Sequence, residues 1–220
     1  MKNLDKYFSE FLGTLILTLS ISGSGMMGQN MTDNEAIILQ GNSLAIGFTL
    51  IVLIITFGRI SGAHFNPVVS LAFFLLKKND AKKSIIYIIV QILGGCLGVM
   101  IANIIFNFEV IELSPKDRSG LGILLSETLA TFGLLMIILL NQNNKNEINA
   151  CLVGLYIAAA IWFMSSTSFA NPAVTIARSL TNTFTGIHYS NILPFIVCQL
   201  LGCICCLGLI KKIYKIKKNN

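Results

Sequence analysis

Charge and histidine are what this sequence has least of. Asp, Glu, Lys and Arg make up only 12% of the 220 residues, and there are two histidines and four prolines. A water-soluble domain carries about 25% charged residues, so no such domain is hidden here. The same scarcity removes most enzyme classes. A metal centre needs clustered His, Cys or carboxylate ligands, and none stand at ligand spacing. A serine hydrolase working inside a membrane needs a Ser–His pair in its core, yet neither His64 nor His188 lies within an apolar run. Net charge is +6, but no basic face alternates with aromatics, which excludes nucleic acid as a partner. The six cysteines, Cys96, Cys151, Cys198, Cys203, Cys205 and Cys206, lie in or at the edge of apolar runs and read as small packing residues, not ligands or disulfides.

What is present is apolar length. Hydrophobic residues make up 54% of the chain and gather in runs over roughly 8–27, 36–58, 84–106, 120–140, 150–167 and 191–210. Each is long enough to cross a bilayer core as a helix. The first is too long, with too few small residues at its end, for a signal peptide and is read as a span. The chain is therefore predicted to be an all-α, multi-pass membrane protein with one domain over 1–220. Positive charge is lopsided. Lys2, Lys6, Arg59, Lys77, Lys78, Lys82, Lys83, Lys145 and the Lys211–Lys218 cluster fall on one side, with Lys116 and Arg118 on the other. The positive-inside rule then places both termini in the cytoplasm, with the chain in the plasma membrane. Loops 28–35 and 107–119 are acidic and external; loop 141–149 is polar and cytoplasmic. The Lys211–Lys218 cluster also suits anionic lipid, and Trp162 and Phe163 suit an interfacial position.

The chain is organised around an internal echo. His64-Phe65-Asn66-Pro67-Val68-Val69 is matched by Phe169-Ala170-Asn171-Pro172-Ala173-Val174. Asn is a good N-cap and Pro fits the first helical position, so each copy starts a helix. The first must stop near Lys77-Lys78, about ten residues on, which is about 15 Å and half a bilayer core. Ser9-Glu10-Phe11-Leu12-Gly13-Thr14 echoes Ser126-Glu127-Thr128-Leu129-Ala130-Thr131, and Gln91 echoes Gln199. The chain is thus a tandem repeat, roughly 1–110 and 118–220, each half with three spans and one half-helix. Three is odd, so the second repeat is inverted and the two half-helices dip in from opposite faces to meet near the midplane.

Non-helical backbone at membrane depth survives only against protein or a water-filled cavity. Here it is expected over 59–65 and 165–170, where carbonyls and Ser166, Thr167 and Ser168 form a polar track. Asn66 and Asn171 add amide donors at the centre, and both helix N-termini place partial positive charge there. A narrow path of this kind suits uncharged hydrogen-bonding solutes and disfavours cations and protons. Glu10 and Glu127 admit two readings, a coupling-proton site or acceptors that hold a re-entrant loop; their equivalent places in the repeats favour the second. His64 lines the path or caps a loop, and His188 sits in a solvated loop.

On these residues the sequence resembles the aquaporin, or major intrinsic protein, family over nearly its whole length. The motifs are Ser61-Gly62-Ala63-His64-Phe65-Asn66-Pro67-Val68 and Asn171-Pro172-Ala173, with Glu10, Glu127, Gln91 and Gln199. The resemblance implies six tilted helices plus two half-helices, a pore within each subunit, a homotetramer and no cofactor. It implies passive flow of water or small neutral solutes, with Asn66 and Asn171 as central donors. Two positions depart from the family pattern. Val68 replaces the usual Ala, a change expected at the pore waist. Val174 stands where the family's filter Arg is usual, and Arg178 follows one turn later. The remaining filter positions map to Ile46, Ser168 and either Ala159 or Ile161. Thr175 replaces the Asp usual in glycerol-passing members. The sequence therefore looks like bacterial variants with a wide apolar filter, suited to glycerol-like solutes or neutral metalloids such as arsenite. Other readings are an ion-coupled transporter and a structural member acting in membrane contacts. The lysine asymmetry makes one direct prediction: a reporter fused after Asn220 is accessible from the cytoplasm alone.

Overall fold

In a medium without water a chain must satisfy its own backbone, and each apolar run does so as a helix. The structure, a computed structural model, describes residues 4–214. Six long helices, α1 (Leu4–Met31), α2 (Glu35–Ser61), α4 (Ala81–Ile105), α5 (Leu121–Asn141), α6 (Asn146–Phe163) and α8 (Ile192–Leu209), are apolar and long enough to cross a bilayer. Two short ones, α3 (Pro67–Leu75) and α7 (Pro172–Ala177), sit between them. Lys2, Lys215, Lys217 and Lys218, which the charge asymmetry used, lie outside the described residues.

Caps explain the boundaries. Asn34 accepts from Ala36 N and Asp80 from Lys83 N, starting α2 and α4. Asn66 and Asn171 cap α3 and α7, with Pro at the first helical position in both. Three helices differ in their limits from the sequence reading. Helix α2 runs on to Ser61, where Gly62 at φ 95° turns its end and donates to Gly58 O. Helix α6 starts and stops four residues earlier than the apolar run, because Ser166 is drawn away to bond Glu127. Helix α1 also extends to Met31, leaving only three residues between it and α2.

The packing repeats as the sequence does. Helix α1 packs on α4 and α2, and α5 packs on α8 and α6. Helices α2 and α6 form the seam between the halves. Each half-helix touches the third span of both halves: α3 packs on α4 and α8, and α7 on α8 and α4. One apolar core surrounds the axis; a second joins Val68, Val69 and Ala72 to Leu135, Cys203, Cys206 and Leu207. Val68 belongs to that second core, where small and medium side chains meet, and not to the pore waist expected from sequence.

Backbones cross closely at paired glycines. A Cβ on Gly94 would stand 2.3 Å from Phe11 O, and one on Gly202 would stand 2.4 Å from Thr128 O. Each oxygen belongs to the residue just after a buried glutamate, so these contacts set the depth of both glutamates. Gly41, by contrast, has nothing near its missing Cβ. Overpacking a tight site costs about 1–3 kcal/mol or more, whereas Gly→Ala on an open helix face is worth about 1 kcal/mol in the chain's favour. Gly94→Val is therefore expected to lower the melting temperature in detergent sharply, with loss of the monodisperse peak, while Gly41→Ala leaves both intact or improved.

Candidate functional site

The site is built from two re-entrant segments that no ordinary loop could form. Ala63, Phe65, Thr167, Ser168 and Ala170 all have φ between 46° and 61°. Left-handed backbone costs a non-glycine residue about 1–2 kcal/mol, so something must hold each segment in place. That is the role of the two buried carboxyl groups. Glu10 accepts from Ser61 Oγ at 2.6 Å, His64 N at 3.0 Å, Phe65 N at 2.7 Å and Gln91 Nε2 at 2.7 Å. Glu127 accepts from Ser166 Oγ at 2.7 Å, Phe169 N at 2.8 Å, Ala170 N at 3.0 Å and Gln199 Nε2 at 2.7 Å. All eight partners donate, as an acceptor-only carboxylate requires. Neither glutamate lines the cavity, and the geometry fits acceptors that hold a re-entrant loop.

The segments meet tip to tip. Asn66 Nδ2 donates to Ala170 O at 2.8 Å, and Asn171 Nδ2 donates to Phe65 O at 2.8 Å. Meanwhile each Oδ1 caps its own helix, taking Val68 N or Ala173 N. An amide nitrogen carries two hydrogens, so one on each Asn is committed across the axis and one is left. Both residues line the cavity, which has a volume of about 400 Å3. Pro67, Val68, Pro172 and Ala173 do not line it; they start and pack the half-helices.

The cavity has two unlike sides. One is a polar ladder. The carbonyls of Gly62, Ala63, His64, Thr167, Ser168 and Phe169 accept no backbone hydrogen bond among the described residues, and all six residues line the cavity. The facing side is apolar. Gly47 and Gly154 cross at the α2–α6 seam, where a Cβ on Gly154 would lie 2.5 Å from Gly47 O. From that contact the lining residues follow in pairs, Ile46 with Val153, Leu50 with Ile157 and Ile54 with Ile161.

Those pairs decide the position left open by sequence. Ile161 is buried on the cavity wall; Ala159 is exposed and faces outward beside Trp162. Gly47 and Gly154 are 107 apart, whereas Asn66 and Asn171 are 105 apart. Two residues turn a helix by about 200°, so a register counted from Asn171 lands on the wrong face. Ile46, Ser168 and Val174 also line the cavity, and Ser168 Oγ is buried with no hydrogen-bond partner. Thr175 instead turns away to bond Gln199 Nε2 at 2.9 Å. His64 lines the cavity, and its Nδ1 pairs with Ser70 Oγ of α3 at 3.0 Å. Ser166 leaves the polar track for Glu127. His188 is half-buried and accepts from Ser190 N, starting a short turn. Trp162 Nε1 donates to Ser43 Oγ at 3.1 Å.

Several lining residues escaped sequence reading. Leu17 and Leu134 each stand seven after a buried Glu, and Ile21 and Ile138 eleven after it; all four line the cavity. The repeat echo combined with helical spacing contains that signal. Arg178 also lines the cavity. Lys78 and Gln142 bond one another at the opposite end, a contact between distant segments with no signature in the sequence.

The comparisons with known proteins agree with this architecture. The Major intrinsic protein family model matches residues 1–170. An aquaglyceroporin, AqpS, of Rhizobium meliloti (strain 1021) is 43% identical over 203 residues, covering 92% of this chain and 87% of that protein. A glycerol uptake facilitator protein-like 6 of Lactiplantibacillus plantarum is 34% identical over 168 residues, covering 72% and 73%. The X-ray structure of the aquaglyceroporin from Plasmodium falciparum shares the fold at a TM-score of 0.75, with 24% identity and 96% and 97% coverage.

The carboxylate frame makes a prediction. Losing a buried acceptor costs about 1–3 kcal/mol per stranded donor, and Glu127→Leu strands several at once. This variant is expected to be unfolded or strongly destabilised, read as aggregation on size exclusion and a lowered melting temperature, rather than folded with altered pH dependence.

Proposed function

The chain belongs to the major intrinsic protein family, a multi-pass membrane channel that passes water and small neutral solutes and is not an enzyme, and from that premise we propose that its filter favours solutes bulkier and less polar than water. The supporting observation is the cavity wall at Val174. A filter arginine would fill this position with a charged fork of five donors; valine supplies neither bulk nor charge. Ile46, Ile161 and Val174 present hydrocarbon, and Ser168 alone offers a free hydroxyl. Water crossing such a ring loses hydrogen bonds without recompense. Glycerol-like solutes and neutral metalloids such as arsenite keep hydrogen bonds along the carbonyl ladder and lay their bulk on the isoleucines.

Cations meet a barrier further in. The N-termini of α3 and α7 converge where Asn66 and Asn171 interlock, and both point partial positive charge inward. That supports exclusion of protons and cations even without the filter arginine. Passive flow fits because both buried carboxylates are saturated by protein donors and stand off the cavity. In the same reading the channel is a plasma-membrane homotetramer with a pore in each subunit and both termini cytoplasmic, as the family resemblance and the lysine asymmetry suggest.

The test is stopped-flow permeation in proteoliposomes with water, glycerol, urea and arsenite at matched protein levels. Val174→Arg is expected to cut glycerol and arsenite flux at least ten-fold while water flux falls less. Solute flux unchanged by this variant would remove Val174 from the constriction.

A further inference from the structure

Three cations gather beyond Val174, where Arg178 lines the cavity with Arg118 and Lys116 behind it, and among the described residues none bonds a carboxylate. Arg178 and Arg118 are only 6% and 8% exposed. Both guanidinium groups lie against one ring, that of Phe169, at 3.5 Å and 5.1 Å from its centroid. Lys116 is close enough that, after burial, these two guanidinium groups are what most lowers its ammonium pKa; Glu35 acts weakly the other way. Among the described residues the sole ion pair is Arg59–Glu147, at the far end of α2 and α6.

The protein partners of the three are neutral carbonyls. Arg178 Nε donates to Thr185 O. Arg118 Nε donates to Gly186 O at 2.9 Å, and its Nη2 reaches Phe184 O at 3.4 Å. Lys116 Nζ donates to the same Phe184 O at 3.0 Å. Glu127 attracts both guanidinium groups but bonds neither, since its oxygens are already filled by four other donors. A guanidinium has five N–H donors, so the two Nη groups of Arg178, which lines the cavity, are left without a protein acceptor among the described residues.

Buried charge with no carboxylate bonded to it is costly, and two guanidinium groups sharing one ring also repel. The missing component is an anion that reaches them from the cavity. We propose that this mouth is a binding site for a small monovalent oxyanion, held in a fork by Arg178 and backed by Arg118 and Lys116. A guanidinium fork matches two oxygens of a carboxylate-like group, which selects oxyanions over a spherical halide. Valine at 174 leaves open the space just inside the fork. The site rests on the reading of the cavity as the conducting path, but binding there needs no conduction.

The experiment uses the full chain purified in detergent, with formate as probe at pH 7 and constant ionic strength, and equilibrium binding followed by calorimetry. Formate is expected to bind saturably, one per chain. Arg178→Gln and Arg118→Gln should each weaken binding at least ten-fold, and Lys116→Gln two- to three-fold. Each variant is first required to elute as the wild type does; should Arg178→Gln fail to fold, Arg118→Gln carries the test. Absence of saturable binding, binding undiminished in Arg118→Gln, or equal displacement by chloride would overturn the proposal. Because no flux is measured, failure of the solute-selectivity reading leaves this result standing, and lost formate binding says nothing against glycerol permeation.

Discussion

Two carboxyl groups buried in apolar helices are the constraint on which the remaining structure depends. Glu10 and Glu127 each gather two backbone N–H groups, a serine hydroxyl and a glutamine amide. Without them the left-handed residues that precede each Asn-Pro motif would have no reason to stay left-handed in an apolar medium. With them, the N–H groups of His64, Phe65, Phe169 and Ala170 are satisfied by protein, while the residues whose carbonyls take no backbone partner line the cavity. One interaction thus satisfies the donors and frees the acceptors.

The pseudo-symmetry carries this further. The glutamines that complete each carboxylate shell also reach the half-helices, Gln91 through Ser70 and Gln199 through Thr175. The two asparagines then tie the half-helices to each other across the axis. Loop, half-helix and third span in each repeat are therefore one hydrogen-bonded unit, and the two units close on one another through Asn66 and Asn171. A channel needs an opening of constant width, and a doubly anchored centre supplies it without filling the opening with side chains.

The proposed filter positions differ in how far they belong to this frame, since Ser168 N donates to Ser166 Oγ within the Glu127 shell. Ile46, Ile161 and Val174 line the cavity without hydrogen-bonding to the glutamates and belong to the apolar core around it. The cationic mouth is a separate layer again, held by loop carbonyls from Phe184, Thr185 and Gly186. Phe169 joins this mouth to the frame, its N–H bonded to Glu127 and its ring against Arg178.

Much of this was legible in the residues alone. Apolar run length dictated six spans, because a bilayer admits only a self-satisfied backbone of that length. The paired Asn-Pro, Ser-Glu and Gln motifs dictated an inverted repeat with half-helices meeting at the centre, because an odd number of spans reverses the second copy. They also marked Glu10 and Glu127, since a lone carboxylate in an apolar run must find donors. Tertiary structure decided what depends on rotation about a helix axis. Ile161 rather than Ala159 faces the cavity because the α2–α6 glycine crossing sets the register, two residues away from the one counted from Asn171. Val68 packs against α5 and α8 because α3 turns that face from the axis. Arg118 and Arg178 are 60 residues apart in sequence, and only the folding of their two loops over Phe169 brings both charges to one ring.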